Sequence, residues 1–170
     1  CVEKNKKWGF IDYNGNVLTE CIFTNFTGFA NGYAFAGKPE EKLWGFVDKS
    51  GKFTGLPYDY SDQMYYGYKN GEKIIAVVNR QGKWGYILPG GKEIIPCIYD
   101  EATAFRTGLA FVKKGKKYGV INEKGMLIVP YLYDKNKWSA PGFDENKMAL
   151  VTKTRTDGTQ VSGYIDAKGR

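Results

Sequence analysis

The chain of 170 residues contains no histidine, three cysteines, six prolines and few arginines. Without histidine it lacks the usual general base near neutral pH and the commonest metal ligand. Histidine-dependent serine or cysteine triads are therefore impossible, and neither a Gly-x-Ser-x-Gly elbow nor a full phosphate-binding glycine loop occurs. Cys1, Cys21 and Cys97 are too few and too far apart for a zinc cluster. Sparse arginine argues against nucleic acid, which is gripped by arginine interleaved with aromatic platforms. No apolar run approaches 18 residues, so no membrane-spanning helix is expected, and residues 1–170 contain no signal-peptide pattern, which leaves open a presequence removed before residue 1. These absences lead to the expectation of a chain that is not an enzyme and carries no cofactor and no metal.

What the chain has in quantity is glycine (22), tyrosine (13) and phenylalanine (10), with 42% hydrophobic and 25% charged residues. That composition supports a folded core, and its aromatics and glycines suit short strands joined by tight turns. The formal net charge of +7 favours anionic partners. The lysines are scattered, however, and a lysine-rich surface also guards sheet edges.

Internal repetition decides the fold class. Trp8-Gly9, Trp44-Gly45, Trp84-Gly85 and Tyr118-Gly119 mark four unit starts, and Ser162-Gly163 marks a fifth, at spacings of 36, 40, 34 and 44 residues. Seven residues after each start stands Gly15, Gly51, Gly91, Gly125 or Gly169. Four residues after each start stands Asp12, Asp48, Leu88, Asn122 or Asp166. Asp/Asn-x-x-Gly between strands is a turn with a mechanism. The side-chain oxygen caps nearby N–H groups, and glycine accepts the positive φ that ends the turn. Unit three turns by other means at Leu88-Pro89-Gly90-Gly91.

A second anchor reads Glu20-Cys21-Ile22-Phe23, Pro96-Cys97-Ile98-Tyr99-Asp100 and Pro130-Tyr131-Leu132-Tyr133-Asp134, with Pro57-Tyr58-Asp59-Tyr60 slipped in unit two. Cys21 and Cys97 thus hold one repeat position and read as packing thiols rather than a disulfide. A third anchor is Phe29-x-x-Gly32-x-Ala34, repeated as Phe105-x-x-Gly108-x-Ala110, with Ala76 and Ala149 the matching alanines. Strands are expected over 109–114, 117–122 and 126–129, the last ended by Pro130. Each unit reads as a three-stranded antiparallel meander whose hairpin straddles the unit start. The glycine after the aromatic reads as a bulge or a close backbone approach to the neighbouring unit. No such meander buries enough surface alone, so neighbours must cover one another. The fold class is all-β, a tandem array of short antiparallel meanders, open superhelical or propeller-like, with residues 1–170 forming a single array. The fifth unit reads as cut off, as in a fragment of a longer array.

Lys7-Trp8-Gly9-Phe10-Ile11-Asp12, Leu43-Trp44-Gly45-Phe46-Val47-Asp48, Lys83-Trp84-Gly85-Tyr86-Ile87 and the weaker Lys117-Tyr118-Gly119-Val120-Ile121-Asn122 resemble the WG, or KWG, repeat family. Gly91-Lys92, Ile94-Ile95-Pro96, Tyr99-Asp100 and Gly108-Leu109-Ala110 extend the likeness across nearly the whole chain. The resemblance implies a bacterial tandem β array with no common activity and supplies no catalytic residues. Choline-binding repeats are similar in composition, but their units run nearer twenty residues.

Two insertions suggest where a ligand sits. Tyr58, Tyr60, Tyr65, Tyr66 and Tyr68 place five tyrosines within eleven residues of unit two. Tyrosine offers rigid amphipathic area at low entropy cost, against proteins or sugar rings. Trp138, in the unit-four insertion, is a second such place. These rings read either as a recognition surface or as a lid over the sheet. The Lys113-Lys114-Gly115-Lys116-Lys117 cluster falls on an expected hairpin tip and could hold phosphates or wall polymers. Asp100 and Asp134, following tyrosine in two units, read as backbone caps. The functional expectation is a binding or scaffolding module for a protein or a surface polymer, with carbohydrate or cell-wall binding as the alternative. An extracytoplasmic or cell-surface location is favoured, and Cys1 would suit the lipid-bearing residue of a processed lipoprotein.

Overall fold

The computed structural model describes residues 1–58, 75–135 and 142–170. Apart from one short 3₁₀ turn, Pro39–Glu41, the regular structure among these residues is all β. It forms five antiparallel sheets in chain order. The first pairs β1 (Val2–Lys4) with β2 (Lys7–Gly9). The second runs β3 (Asn25–Phe26), β4 (Tyr33–Lys38), β5 (Leu43–Asp48) and β6 (Phe53–Pro57). The third holds β7 (Ala76–Arg80), β8 (Lys83–Ile87) and β9 (Glu93–Tyr99). The fourth runs β10 (Glu101–Ala102), β11 (Leu109–Lys114), β12 (Lys117–Asn122) and β13 (Leu127–Tyr133). The fifth pairs β14 (Ala149–Thr154) with β15 (Gln160–Ile165). In each sheet the strands follow sequence order, the pattern of a meander.

Each sheet draws on two successive sequence units, because the hairpin before every aromatic-glycine pair joins the end of one unit to the start of the next. The third sheet has the expected three strands among the described residues, whereas the second and fourth have four. The added first strand, β3 or β10, is a two-residue piece of the connecting segment.

The sheets stack face to face as an open array, and four apolar clusters lie between consecutive sheets. Phe10 and Phe23 meet Ala34, Ala36 and Val47. Phe35, Trp44, Phe46 and Tyr58 meet Val78 and Ile87. Val77, Tyr86 and Tyr99 meet Ala110, Val112 and Ile121. Phe111, Tyr118 and Val120 meet Ala149, Val151 and Ile165. Every interface has the same composition. Aromatic rings, joined by valine at Val77 and Val120, on the leading face of one sheet press on alanine, valine and isoleucine on the trailing face of the next. Strand alternation puts the two sets on opposite faces, and burial of each large side chain is worth roughly 1.5–3 kcal/mol. The inner strands therefore need apolar residues on both faces, and β5 and β12 are buried at four consecutive positions.

The expected turns form. The Asp12 carboxylate accepts the N–H groups of Asn14 and Asn16, both at 2.8 Å. Asp48, Asn122 and Asp166 cap the second and fourth residues after them in the same way. Gly51, Gly125 and Gly169 close these turns at φ of +83°, +77° and +81°. Leu88 keeps the backbone bonds of the turn without a side-chain cap, through Gly91 N–H to Leu88 O at 2.9 Å. Asp144 builds the same turn with Lys147 at the glycine position, φ +60°.

Two sequence expectations are corrected. Pro130 does not end its strand, because β13 continues to Tyr133. Tyr118 pairs with Tyr133 and Val120 with Val129, so the outer strand bulges at 130–132 opposite Gly119. The missing proline N–H falls in that bulge, and Pro96 in β9 is placed likewise opposite Gly85. The glycine of each aromatic-glycine pair does make a close backbone approach, but within its own unit: Gly45, Gly85 and Gly119 to the outer strand of their sheet, and Gly9 to the segment at Thr19-Glu20. A Cβ on Gly9 or Gly119 would stand 2.7 Å from the Thr19 carbonyl oxygen or 2.8 Å from that of Val129.

Candidate functional site

The outer strands carry the features that repeat on the surface. Ile22, Ile98 and Leu132 hold one repeat position, the residue before the aromatic that pairs with Trp8, Trp84 or Tyr118. They are 37%, 47% and 43% exposed, so this position is an outward aliphatic in three units. Around Leu132, Met126, Leu127 and Ile128 on the same outer segment are also exposed. The bulge produces this outcome, because extra residues opposite the glycine lift one side chain off the sheet. One position earlier, the Cys21 thiol lies 3.7 Å from the Val2 carbonyl and the Cys97 thiol 3.9 Å from that of Val78. Both are free and half-buried, with burial first and then Glu93 raising the Cys97 thiol pKa.

A second repeated feature joins one sheet to the next at the turn out of the outer strand. Asp100 accepts the Lys83 ammonium on one oxygen and the Gly115 N–H on the other, at 2.7 Å. Asp134 accepts the Lys117 ammonium, and also the Thr154 N–H and hydroxyl at 2.7 and 2.8 Å. Each carboxylate thus ties the lysine that opens its own unit to the following hairpin. The lysine hydrogen bond is the chief cause holding both below the usual carboxylate range. The expected backbone cap is present, joined by an ion pair that single-sequence reasoning missed. The signal was there, since Lys83 to Asp100 and Lys117 to Asp134 have equal spacing.

Glu101 sits between these staples. It accepts Lys113 at 2.6 Å and the Tyr118 hydroxyl, and Lys135 approaches to 3.5 Å. Burial raises its pKa, but the bonds from Lys113 and Tyr118 outweigh that and leave it lowered. Burial, then the bond to Glu101, pushes the Tyr118 hydroxyl up. The basic hairpin tip forms as expected, but Glu101 and Asp134 engage Lys113 and Lys117, which reduces its free positive charge to Lys114 and Lys116.

Of the sequence-selected aromatics, Tyr58 is fully buried, with the Arg80 guanidinium 4.7 Å from its ring centroid. Its ring is part of the core and presents no face to solvent. Tyr60, Tyr65, Tyr66, Tyr68 and Trp138 lie outside the described residues. Phe143, from the same unit-four insertion, is buried and stacks on Phe111 with ring centroids 5.3 Å apart. Among the described residues no group of three or more Cys, Asp or Glu could hold a metal ion, and no helix is long and apolar enough to cross a membrane.

A family model described as "WG containing repeat" matches residues 8–38, 84–118 and 118–154, more than half of the chain. This chain belongs to the WG repeat family. No curated protein matches it. Two solved structures are similar at 15% identity. Virginiamycin B lyase from Staphylococcus aureus has a TM-score of 0.45, with 94% of this chain and 64% of that one covered. A streptogramin B lyase has a TM-score of 0.46, with 93% and 61% covered. The chain thus spans under two thirds of the length of either. Both are named as lyases, and the expectation that this chain is not an enzyme is withdrawn on that finding. At this identity no reaction or substrate carries over to the WG repeat chain.

Proposed function

We propose that this WG repeat array is a binding or scaffolding module whose partner is a protein, met through the outer strands. One observation carries the reading. Ile22, Ile98 and Leu132 occupy the same repeat position, and all three are exposed aliphatics. None of the three belongs to the four apolar clusters, and exposed aliphatic area is what a protein partner covers. Sugar recognition would instead favour aromatic faces beside acids or amides in a groove. The exposed aromatics among the described residues, Tyr13, Phe29 and Tyr164, occupy three different repeat positions. In this reading the insertion's other tyrosines, Tyr60, Tyr65, Tyr66 and Tyr68, add contact area, as does Trp138; the buried Tyr58 does not.

Residues 1–170 act as a single array in this proposal, at the cell surface or outside the cytoplasm. Cys1 is exposed at the N-terminus of the chain and is compatible with lipid attachment. Cell-wall or carbohydrate binding is the second reading, favoured by the net charge of +7 and by Lys114 and Lys116 at the hairpin tip.

The test compares wild type with an Ile98→Lys/Leu132→Lys variant and a Tyr65→Ala/Tyr66→Ala variant, in cross-linking on intact cells and on a glycan array. Protein cross-links that disappear in the Ile98→Lys/Leu132→Lys variant support the protein reading. Glycan binding that survives this change and is lost with the two tyrosines would replace it.

A further inference from the structure

Strand pairing orders lysines that look scattered in the sequence. The last strand residue before each unit-start hairpin turn pairs with the residue just ahead of the unit start. That position holds Lys4, Lys38, Arg80, Lys114 and Lys153, so a basic side chain recurs at one register position in all five sheets. Its partner across the hairpin is also lysine in three of them, at Lys7, Lys83 and Lys117.

Contacts between sheets bring the hairpin ends together along one edge of the array. Lys7 in the first hairpin reaches Glu40 in the second at 3.4 Å. Asp100 holds Lys83 of the third hairpin and the Gly115 N–H of the fourth. Asp134 holds Lys117 of the fourth and the Thr154 N–H of the fifth. Stacked sheets lie about 10 Å apart, so the edge offers roughly one cation per sheet at that interval.

The free charge is concentrated at the fourth and fifth hairpins. Lys38 pairs with Glu41 at 3.4 Å and Arg80 with Glu93 at 3.6 Å. Lys114 and Lys153 are exposed and form no ion pair among the described residues. Lys116 and Arg155, in the turns beside them, are exposed too. The neighbouring acids are occupied: Glu101 by Lys113, Asp134 by Lys117, and Asp157 by the N–H and hydroxyl of Thr159. Lys114 shares its strand face with Val112, and Lys153 shares its face with Val151. Both valines pack in the clusters shared with the preceding sheet, so the two lysines stay exposed at the rim of a face that is already covered.

We infer that this hairpin edge binds a linear polyanion, a phosphodiester chain with saturated linkers, laid across successive tips. Single cations set in a line match single phosphates along a chain, whereas a compact anion needs cations that converge on one point. Lysine serves here as a point charge. The tips, 3–7, 38–43, 80–83, 113–117 and 153–161, contain no aromatic residue on which a nucleic-acid base could stack. The inference rests on the second, polymer-binding reading and gives it a chemistry and a place. It leaves the protein contact through Ile98 and Leu132 to its own test.

The experiment titrates the 170-residue chain into end-labelled poly(glycerol phosphate) and follows anisotropy over a range of salt concentrations. Affinity should rise with polymer length, fall with salt, and be absent for glycerol phosphate itself. Lys114→Gln/Lys153→Gln should weaken binding roughly tenfold or more and reduce the slope of log K against log salt by about 0.7 per lysine removed. Lys124→Gln/Lys168→Gln makes the same change in net charge at the opposite ends of β12 and β15, and should keep most of the affinity. No binding of the polymer at low salt overturns the inference. Equal losses in the two double variants do so as well, because net charge alone would then account for the attraction. Tighter binding of a single-stranded oligonucleotide of equal charge would overturn the assignment to a chain without bases. A neutral wall glycan bound while poly(glycerol phosphate) is not would keep the polymer reading and end this one.

Discussion

Gly85 lies against the carbonyl of Ile95, so that a Cβ placed on it would stand 2.6 Å from that oxygen and 2.7 Å from the Cys97 nitrogen. Both obstacles are backbone in β9, which cannot swing aside as a side-chain tip would. The glycine of the repeat signature is thus a spacing requirement between two strands of one sheet. Gly85→Ala is expected to lower stability by about 2–3 kcal/mol, the upper part of the overpacking range. Gly163 holds the same repeat position in β15, but no atom lies within 4 Å of its Cβ site. Gly163→Ala should stay within about 0.5 kcal/mol of wild type. Denaturant midpoints of the two variants measure the contrast, and equal effects would refute the steric account.

The signature tryptophans are not equivalent in burial. Trp44 is 2% exposed and lies in the cluster between the second and third sheets, whereas Trp8 and Trp84 are half-buried. Trp44→Ala is expected to cost about 3–5 kcal/mol. Trp84→Ala should cost clearly less, because part of its ring already meets water and loses little transfer energy. Thermal unfolding of both variants, at one pH and concentration, gives the order.

Local chemistry made much of this fold legible in sequence. Asp48-x-x-Gly51 and Asn122-x-x-Gly125 announce their turns because every atom of the mechanism lies within four residues. The β11–β12 hairpin follows directly, and its strands span the expected 109–114 and 117–122. Pairing is less visible. The alternation around Gly85 shows that a small residue is required, but not that the neighbour is β9 of the same sheet. Pro130 reads as a stop until Tyr118↔Tyr133 pairing reveals a bulge that absorbs it. The exposed row at Ile22, Ile98 and Leu132 was hidden for the same reason, since an aliphatic in a strand reads as core unless the bulge that turns it outward is known. Composition alone points to the Tyr58 ring, and composition does not distinguish a core tyrosine from a surface one.

The outward aliphatics should contribute little to folding and much to association. Ile98 and Leu132 stand outside the four apolar clusters, so Ile98→Lys and Leu132→Lys are each expected within about 0.5 kcal/mol of wild type in stability. Ile95→Ala provides the comparison. It lies in the same strand as Ile98 but is buried in the cluster between the third and fourth sheets, and its loss should cost about 2–5 kcal/mol. Parallel urea titrations of the three variants test the assignment of faces. A large loss for Ile98→Lys would place that side chain in the core and remove the basis for a partner there.

Acid should loosen the staples between sheets. Asp100 and Asp134 both have pKa values lowered from the ordinary 3.8, first by the hydrogen bond from Lys83 or Lys117. A carboxyl with a depressed folded-state value binds its proton more readily when unfolded. Its stabilising effect is therefore complete above the unfolded value of 3.8 and is lost as pH falls through the lower folded one. Asp134→Asn keeps an acceptor for Thr154 but gives up the ion pair with Lys117. It should be less stable than wild type at neutral pH, and the gap should close once the pH drops below 3.8. Asp100→Asn should behave alike but with greater sensitivity to salt, because Asp100 is 32% exposed in its side chain against 19% for Asp134, and exposed pairs are screened more. Comparing wild-type and variant midpoints from pH 7 down to acid, at low and high salt, isolates each staple from Asp12, Asp48 and Asp166, whose own depressed values act equally in all three proteins. A gap that widens on acidification would mean that the carboxylates repel something in the folded state, and the staple would have the wrong sign.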